Sequence, residues 1–124
     1  MNKKAFREVE KFITKEARHL NMASWLAETD KPCGTTCCLA GAAYLIKNNQ
    51  SVRDYNDKLY PGTDKIIDDA KQFLGIDESE SQSLFFWAFW PEKFRREYIK
   101  ARGQKGRAAV VVRRIEYFIK TRGA

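Results

Sequence analysis

Three cysteines, Cys33, Cys37 and Cys38, stand within six residues and are the side chains best suited by type to chemistry. A thiol attacks as its thiolate, and the unpaired amides of a helix N-terminus favour that form. Cys33 sits just before an Ala/Gly-rich apolar run, so it is the weak candidate for a catalytic nucleophile or redox group. Cys37 and Cys38 fall at the start of the run itself and are expected in the core. The spacing is not Cys-x-x-Cys, and an odd, clustered set cannot staple distant segments. A mixed zinc site would have to recruit His19, the only histidine, together with acids from unrelated positions, so no metal is expected. His19 follows Lys15 and Arg18 at the end of the first helix, where an imidazole is an ordinary C-terminal residue. Asp64, Asp68 and Asp69 could hold Mg²⁺ by type. Lys65 and Lys71 interleave them, however, and acids near a helix start are favoured without a ligand, so a solvated face is expected. There is no phosphate-binding or dinucleotide glycine loop and no His-Glu-x-x-His. No cofactor is expected, and the balance falls against an enzyme.

The strongest functional signal is charge. The chain carries +7 overall, yet residues 1–92 hold 12 Lys/Arg against 14 Asp/Glu, while residues 93–124 hold 11 against 2. Such segregation steers an acidic partner toward one region. Arg95, Arg96, Lys100, Arg102, Lys105 and Arg107 surround a Gly-rich turn, and Arg113, Arg114, Lys120 and Arg122 extend the basic set. Val110 and Tyr117 fall off the main apolar stripe of the last helix, giving its outer face apolar spots. Phosphate-facing helices gain little from exposed Val, so a protein partner or self-association is expected ahead of nucleic acid. Residues 54–80, with eight acids and three Lys/Arg, are a third possible partner for the tail.

The elements that must position these residues read as helices. Phe6, Val9, Ile13, Ala17 and Leu20 recur at three- and four-residue steps and predict a helix over about 3–18. A short segment over 22–26 follows, and Pro32 interrupts what comes next. The run from Cys37 to Ile46 is apolar nearly all round, with Ala40, Gly41, Ala42 and Ala43 permitting close approach. It is expected as the central buried helix, starting near Thr36 with Thr35 or Thr36 as its cap. Residues 51–62 read as a loop, and Thr63 opens a helix whose inner face is Ile66, Ile67, Ala70, Phe73 and Leu74. Gly75 lies just past its end, and Asp77 with Glu80 forms a capping box for the helix after it. Pro91 suits the first position of a short helix carrying Phe94 and Tyr98. Gly103–Gly106 reads as a hinge before a final helix over 107–121, with Ala108, Val111, Val112, Ile115 and Ile119 inward. Local β propensity at 109–112 is outweighed by this helical period.

At 124 residues and 44% apolar composition, the chain is expected to form one all-α domain over residues 1–124, with five or six helices and a strongly basic part from about 93. The apolar run is half the roughly 20 residues a membrane span needs. The charged opening Met1-Asn2-Lys3-Lys4 offers no apolar leader core, so a cytoplasmic protein is expected.

Cys33-Gly34-Thr35-Thr36-Cys37-Cys38-Leu39-Ala40-Gly41-Ala42, Phe73-Leu74-Gly75-Ile76, Leu84-Phe85 and Trp90-Pro91 together resemble a loosely defined group of small uncharacterised bacterial and phage proteins. That pattern opens with Cys-Gly-Thr into an Ala/Gly helix, then has a Leu-Gly-Leu-like helix end and a Trp-Pro corner. The resemblance covers roughly residues 22–94, implies a shared helical scaffold of phage or bacterial origin, and carries no activity onto individual residues. Cys37 and the basic tail depart from it. The function expected is a small non-catalytic accessory or regulatory protein. A nucleic-acid-binding protein using the basic tail and a Cys33-dependent enzyme are the alternatives.

Overall fold

The computed structural model describes residues 1–17, 26–28, 35–50 and 63–121 of the chain. Six α-helices carry the fold: α1 (Lys3–Lys15), α2 (Leu39–Lys47), α3 (Thr63–Leu74), α4 (Glu78–Phe85), α5 (Glu92–Lys100) and α6 (Gly103–Lys120). A single 3₁₀ turn, Trp87–Phe89, joins α4 to α5. Among the described residues the helices are joined by a short antiparallel ribbon of β1 (Leu26–Glu28) and β2 (Thr35–Cys37), in which Ala27 faces Thr36.

That ribbon corrects the expected start of the central helix. Thr35 and Thr36 do not cap it, because their backbone pairs with β1, and the helix begins three residues later than Thr36, at Leu39. Cys38 takes the N-cap place in extended conformation. β-Branched Thr residues favour an extended strand once a partner strand is beside them. The expected centrality of this helix holds: Leu39 through Leu45 are all buried, including Gly41. α2 lies between α1 and α3, and α6 closes over the other side of α1.

α1 starts on Asn2, whose side chain accepts from the Ala5 amide at 3.1 Å. The helix ends at Lys15, short of the expected 18. The Asn2 amide donates to the Leu74 carbonyl at 2.8 Å, tying the start of the chain to the end of α3. Gly75 makes this possible. Its φ of +66° lets its own amide and that of Ile76 reach back to the Lys71 carbonyl. A Cβ at this position would stand 3.2 Å from the Asn2 nitrogen. Gly75→Ala is therefore expected to cost about 1–2 kcal/mol, combining left-handed strain with that contact. Urea denaturation checks it, and an unchanged midpoint would mean that the Asn2 strap gives way at no cost.

The Asp77–Glu80 capping box forms with both hydrogen bonds, at 2.8 and 3.0 Å. Pro91 serves as the residue before α5 rather than its first, its carbonyl accepting from Phe94 and Arg95. The expected hinge at Gly103–Gly106 is the first turn of α6 instead. The chain bends one step earlier, where Ala101 and Arg102 are extended and Gly103 takes φ +71°. Starting α6 at Gly103 adds a turn to this helix and brings Lys105 into it.

Candidate functional site

α5 is short and two-faced. Phe94 is buried and Tyr98 half-buried, packed against Trp90 and Trp87 at ring-centroid distances of 6.0 and 5.7 Å. Arg96, Ile99 and Lys100 project from the opposite face, with Arg95 half-buried at its edge. Positions three and four apart are neighbours on a helix, so Ile99 is flanked by Arg95 and Arg96, with Lys100 next to Arg96. Ile99 is 66% exposed, a large aliphatic group standing among cations. At the other end of this corner, Phe89 is 60% exposed and stacks edge-on against exposed Phe86 at 6.4 Å.

The basic residues of α6 separate into two groups. Lys105 and Arg113 are exposed, Arg107 is half-buried, and Arg102 is exposed in the bend. Arg113 reaches Glu97 of α5 at 3.5 Å. Arg114 belongs to the core and not to a binding surface: it is 0% exposed. Its guanidinium lies 5.7–6.0 Å from the rings of Trp90, Phe94, Tyr117 and Phe118 and donates to the Ser83 carbonyl at 3.1 Å. Burial pulls its pKa down to about 10, with Tyr117 opposing, so it stays cationic at neutral pH. Val110 is likewise buried, not an outer apolar spot. Both were misplaced because the expected inner stripe of α6 is rotated. α5 packs on the flank carrying Val110, Arg114 and Tyr117, and Phe118 joins the core while Val112 and Ile119 are only partly buried. Tyr117, 38% exposed, remains at the surface beside Phe94.

The cysteine chemistry is not carried by the described residues. Cys33, His19 and Arg122 lie outside them, and of Cys37 only the strand backbone is described. Cys38 is buried, and that burial pushes its thiol up to about 11 against the pull of the Gly41 and Ala40 amides, so it remains protonated. Among the described residues no group of three or more His, Cys, Asp or Glu could hold a metal ion. Asp69 is a correction to the expected solvated acidic face. It is 3% exposed and receives Lys47 at 2.9 Å, Lys65 at 3.0 Å and Asn48 at 3.1 Å. Burial raises its pKa, but those three hydrogen bonds outweigh it and hold the carboxyl at about 2. Asp69 pairs with Lys47 and Lys65, and Glu78 with Lys71, so these acids are engaged locally and not by the basic tail.

A second buried acid was legible but unread. Glu10 falls at the edge of the α1 stripe with Phe6, Val9 and Ile13, and it is 8% exposed. At the α1–α6 seam it meets Glu116, and Arg7 donates to both carboxylates. Burial first, then the hydrogen bond and charge of Glu116, push Glu10 up to about 7 against Arg7. Glu116 is held below its usual value by the bonds it accepts from Glu10 and Arg7. Because the folded pKa of Glu10 is raised, its contribution to stability is full below about 4.5 and is lost as pH rises through about 7. Glu116 has the opposite sign, its contribution being lost as pH falls below 4.5 toward its lowered folded value. The pair is thus most favourable with one proton between them. The site is expected to lose about 1–2 kcal/mol between about pH 5.5 and pH 8, discounted for the exposure of Glu116. Glu10→Gln should flatten that slope in urea denaturation, and a slope unchanged in the variant would assign it elsewhere.

No described helix is long and apolar enough to cross a membrane. No family model matches the chain, and comparison with curated proteins and with solved structures finds no match.

Proposed function

We propose that this is a small non-catalytic accessory or regulatory protein, of the bacterial or phage origin its sequence resemblance implies, that works in the cytoplasm by binding another protein. The observation that carries the reading is Ile99, 66% exposed and flanked on its helix face by Arg95 and Arg96, with Lys100 next to Arg96. An exposed branched aliphatic group flanked by guanidinium and ammonium groups suits a protein surface with an apolar pocket and an acidic rim. Phe89 and Phe86 add exposed apolar area at the neighbouring α4–α5 corner. Arg102, Arg107 and Tyr117 provide the surrounding polar contacts.

The +9 of residues 93–124 supports nucleic acid as the second reading, because phosphate contacts need only cations. Capture of partners from a bacterial lysate, with and without nuclease, separates the two. Protein binding leaves the captured partner after nuclease and loses it with Ile99→Asp. Nucleic acid binding is lost on nuclease treatment, tolerates Ile99→Asp, and weakens with salt at a log–log slope of about 0.9 per duplex phosphate.

A further inference from the structure

A groove of about 660 Å³ runs between α1 and α6. Its floor is made of small or apolar groups: Ala17, Ala108, Ala109 and Val112, with Thr14 beside them. It continues along α1 past Lys11 and Lys15, where Val112 and Thr14 again form the base. Its walls carry charges of one sign. Lys11 and Lys15 are one helical turn apart on α1, and Lys105 and Arg113 stand on either side of exposed Ala109 on α6. Lys11, Lys15 and Lys105 make no ion pair among the described residues, and Arg113 has only its 3.5 Å contact with Glu97. The one acid lining the extension among the described residues, Glu10, is buried and held by Arg7.

We infer that this groove docks an acidic amphipathic helix of a partner protein, its apolar stripe on Ala17, Ala109 and Val112 and its carboxylates on Lys11, Lys15, Lys105 and Arg113. The small side chains of the floor let a helix approach closely, and cations on both walls match acids on both borders of an apolar stripe. A nucleic-acid backbone would use the walls and leave the floor without a role. The inference rests on the protein-binding reading above and gives that partner a second point of contact, in a groove that Ile99 does not line.

The probe is a labelled synthetic helix of about 18 residues, roughly five turns, with Leu at every third and fourth position and Glu on both borders. A twin carries Gln in place of every Glu. Fluorescence anisotropy with the intact protein should show the Glu peptide binding at least about tenfold more tightly than its twin. Ala109→Trp fills the groove at an exposed helix position without changing charge, and it should weaken binding by at least about tenfold. Lys105→Glu with Arg113→Glu should do the same, while Lys93→Glu, a charge reversal at an exposed α5 position that does not line the groove, should leave peptide binding unchanged. Circular dichroism melts establish that each variant folds. Equal binding of the twin, or indifference to Ala109→Trp, overturns the inference. A single-stranded oligonucleotide that Ala109→Trp displaces, or a dimer that Ala109→Trp splits in sedimentation, overturns it in favour of those occupants. If the peptide fails while Ile99→Asp still removes a nuclease-resistant partner, the groove assignment falls and the protein-binding reading stands. If nuclease strips every partner while the peptide still binds, it is the broader reading that fails.

Discussion

Arg114→Ala is expected to lower stability by about 3 kcal/mol, within the range for emptying a large buried site, whereas Arg114→Met should stay within about 1 kcal/mol of the parent. Two properties of the site set this contrast. Arg114 is fully buried among four aromatic rings, so alanine leaves a cavity bounded by Trp90, Phe94, Tyr117 and Phe118. It is also a charge that burial disfavours, as its pKa drop to about 10 shows, so an apolar side chain of similar length removes a desolvation cost while keeping the volume. What methionine cannot replace is the hydrogen bond to the Ser83 carbonyl, one of the last acceptors of α4, and that loss sets the residual cost at about 1 kcal/mol. Urea denaturation of the two variants checks the prediction. Equal losses would show that the cation itself, through its rings and its carbonyl, supplies the stability.

Trp90→Ala is expected to cost about 3–5 kcal/mol, the largest effect of any single truncation considered, while Trp90→Phe should cost about 1–2 kcal/mol. Trp90 is 2% exposed, and its indole N–H donates to the Leu84 carbonyl at 2.7 Å. It also meets Tyr98 edge-on at 6.0 Å. Trp90 and Arg114 therefore satisfy adjacent carbonyls at the end of α4, where no glycine follows to turn the chain. Because they share that helix end and lie against each other, the double variant should destabilise by a different amount than the two single losses added together. Thermal or urea denaturation of the four proteins of the cycle measures this. Simple additivity would mean that the two donors act independently.

Much of the helical architecture was legible because its signals are local. The stripe of Phe6, Val9 and Ile13, the Asp77–Glu80 box and the glycine after α3 each act within a few residues, and each appears where expected. The start of α2 was misread because the rival to a threonine cap is a strand partner at 26–28, a pairing that local sequence does not specify. The Gly103–Gly106 segment was misread because glycines mark both breaks and tolerated helix starts, and the extended Ala101–Arg102 step supplies the break here.

The site divides along the same line. Ile99 between Arg95 and Arg96 follows from helix phase alone, and so does the place of Glu10 and Asp69 beside the apolar stripes of α1 and α3. The sequence by itself determined that the chain would be helical, that its cations would gather after residue 93, and that residues 39–45 would be buried. Only the tertiary structure decided which of those cations face water. α5 packs against the flank of α6 that carries Arg114 and Val110, turning an expected contact surface into core and leaving Lys105 and Arg113 outside. Helical period fixes which residues share a face, but the covering of a second face depends on where a neighbouring helix lands. That position is set here by the bend at Ala101–Gly103 and by how the two helices pack once it is made, which the period of one helix does not encode.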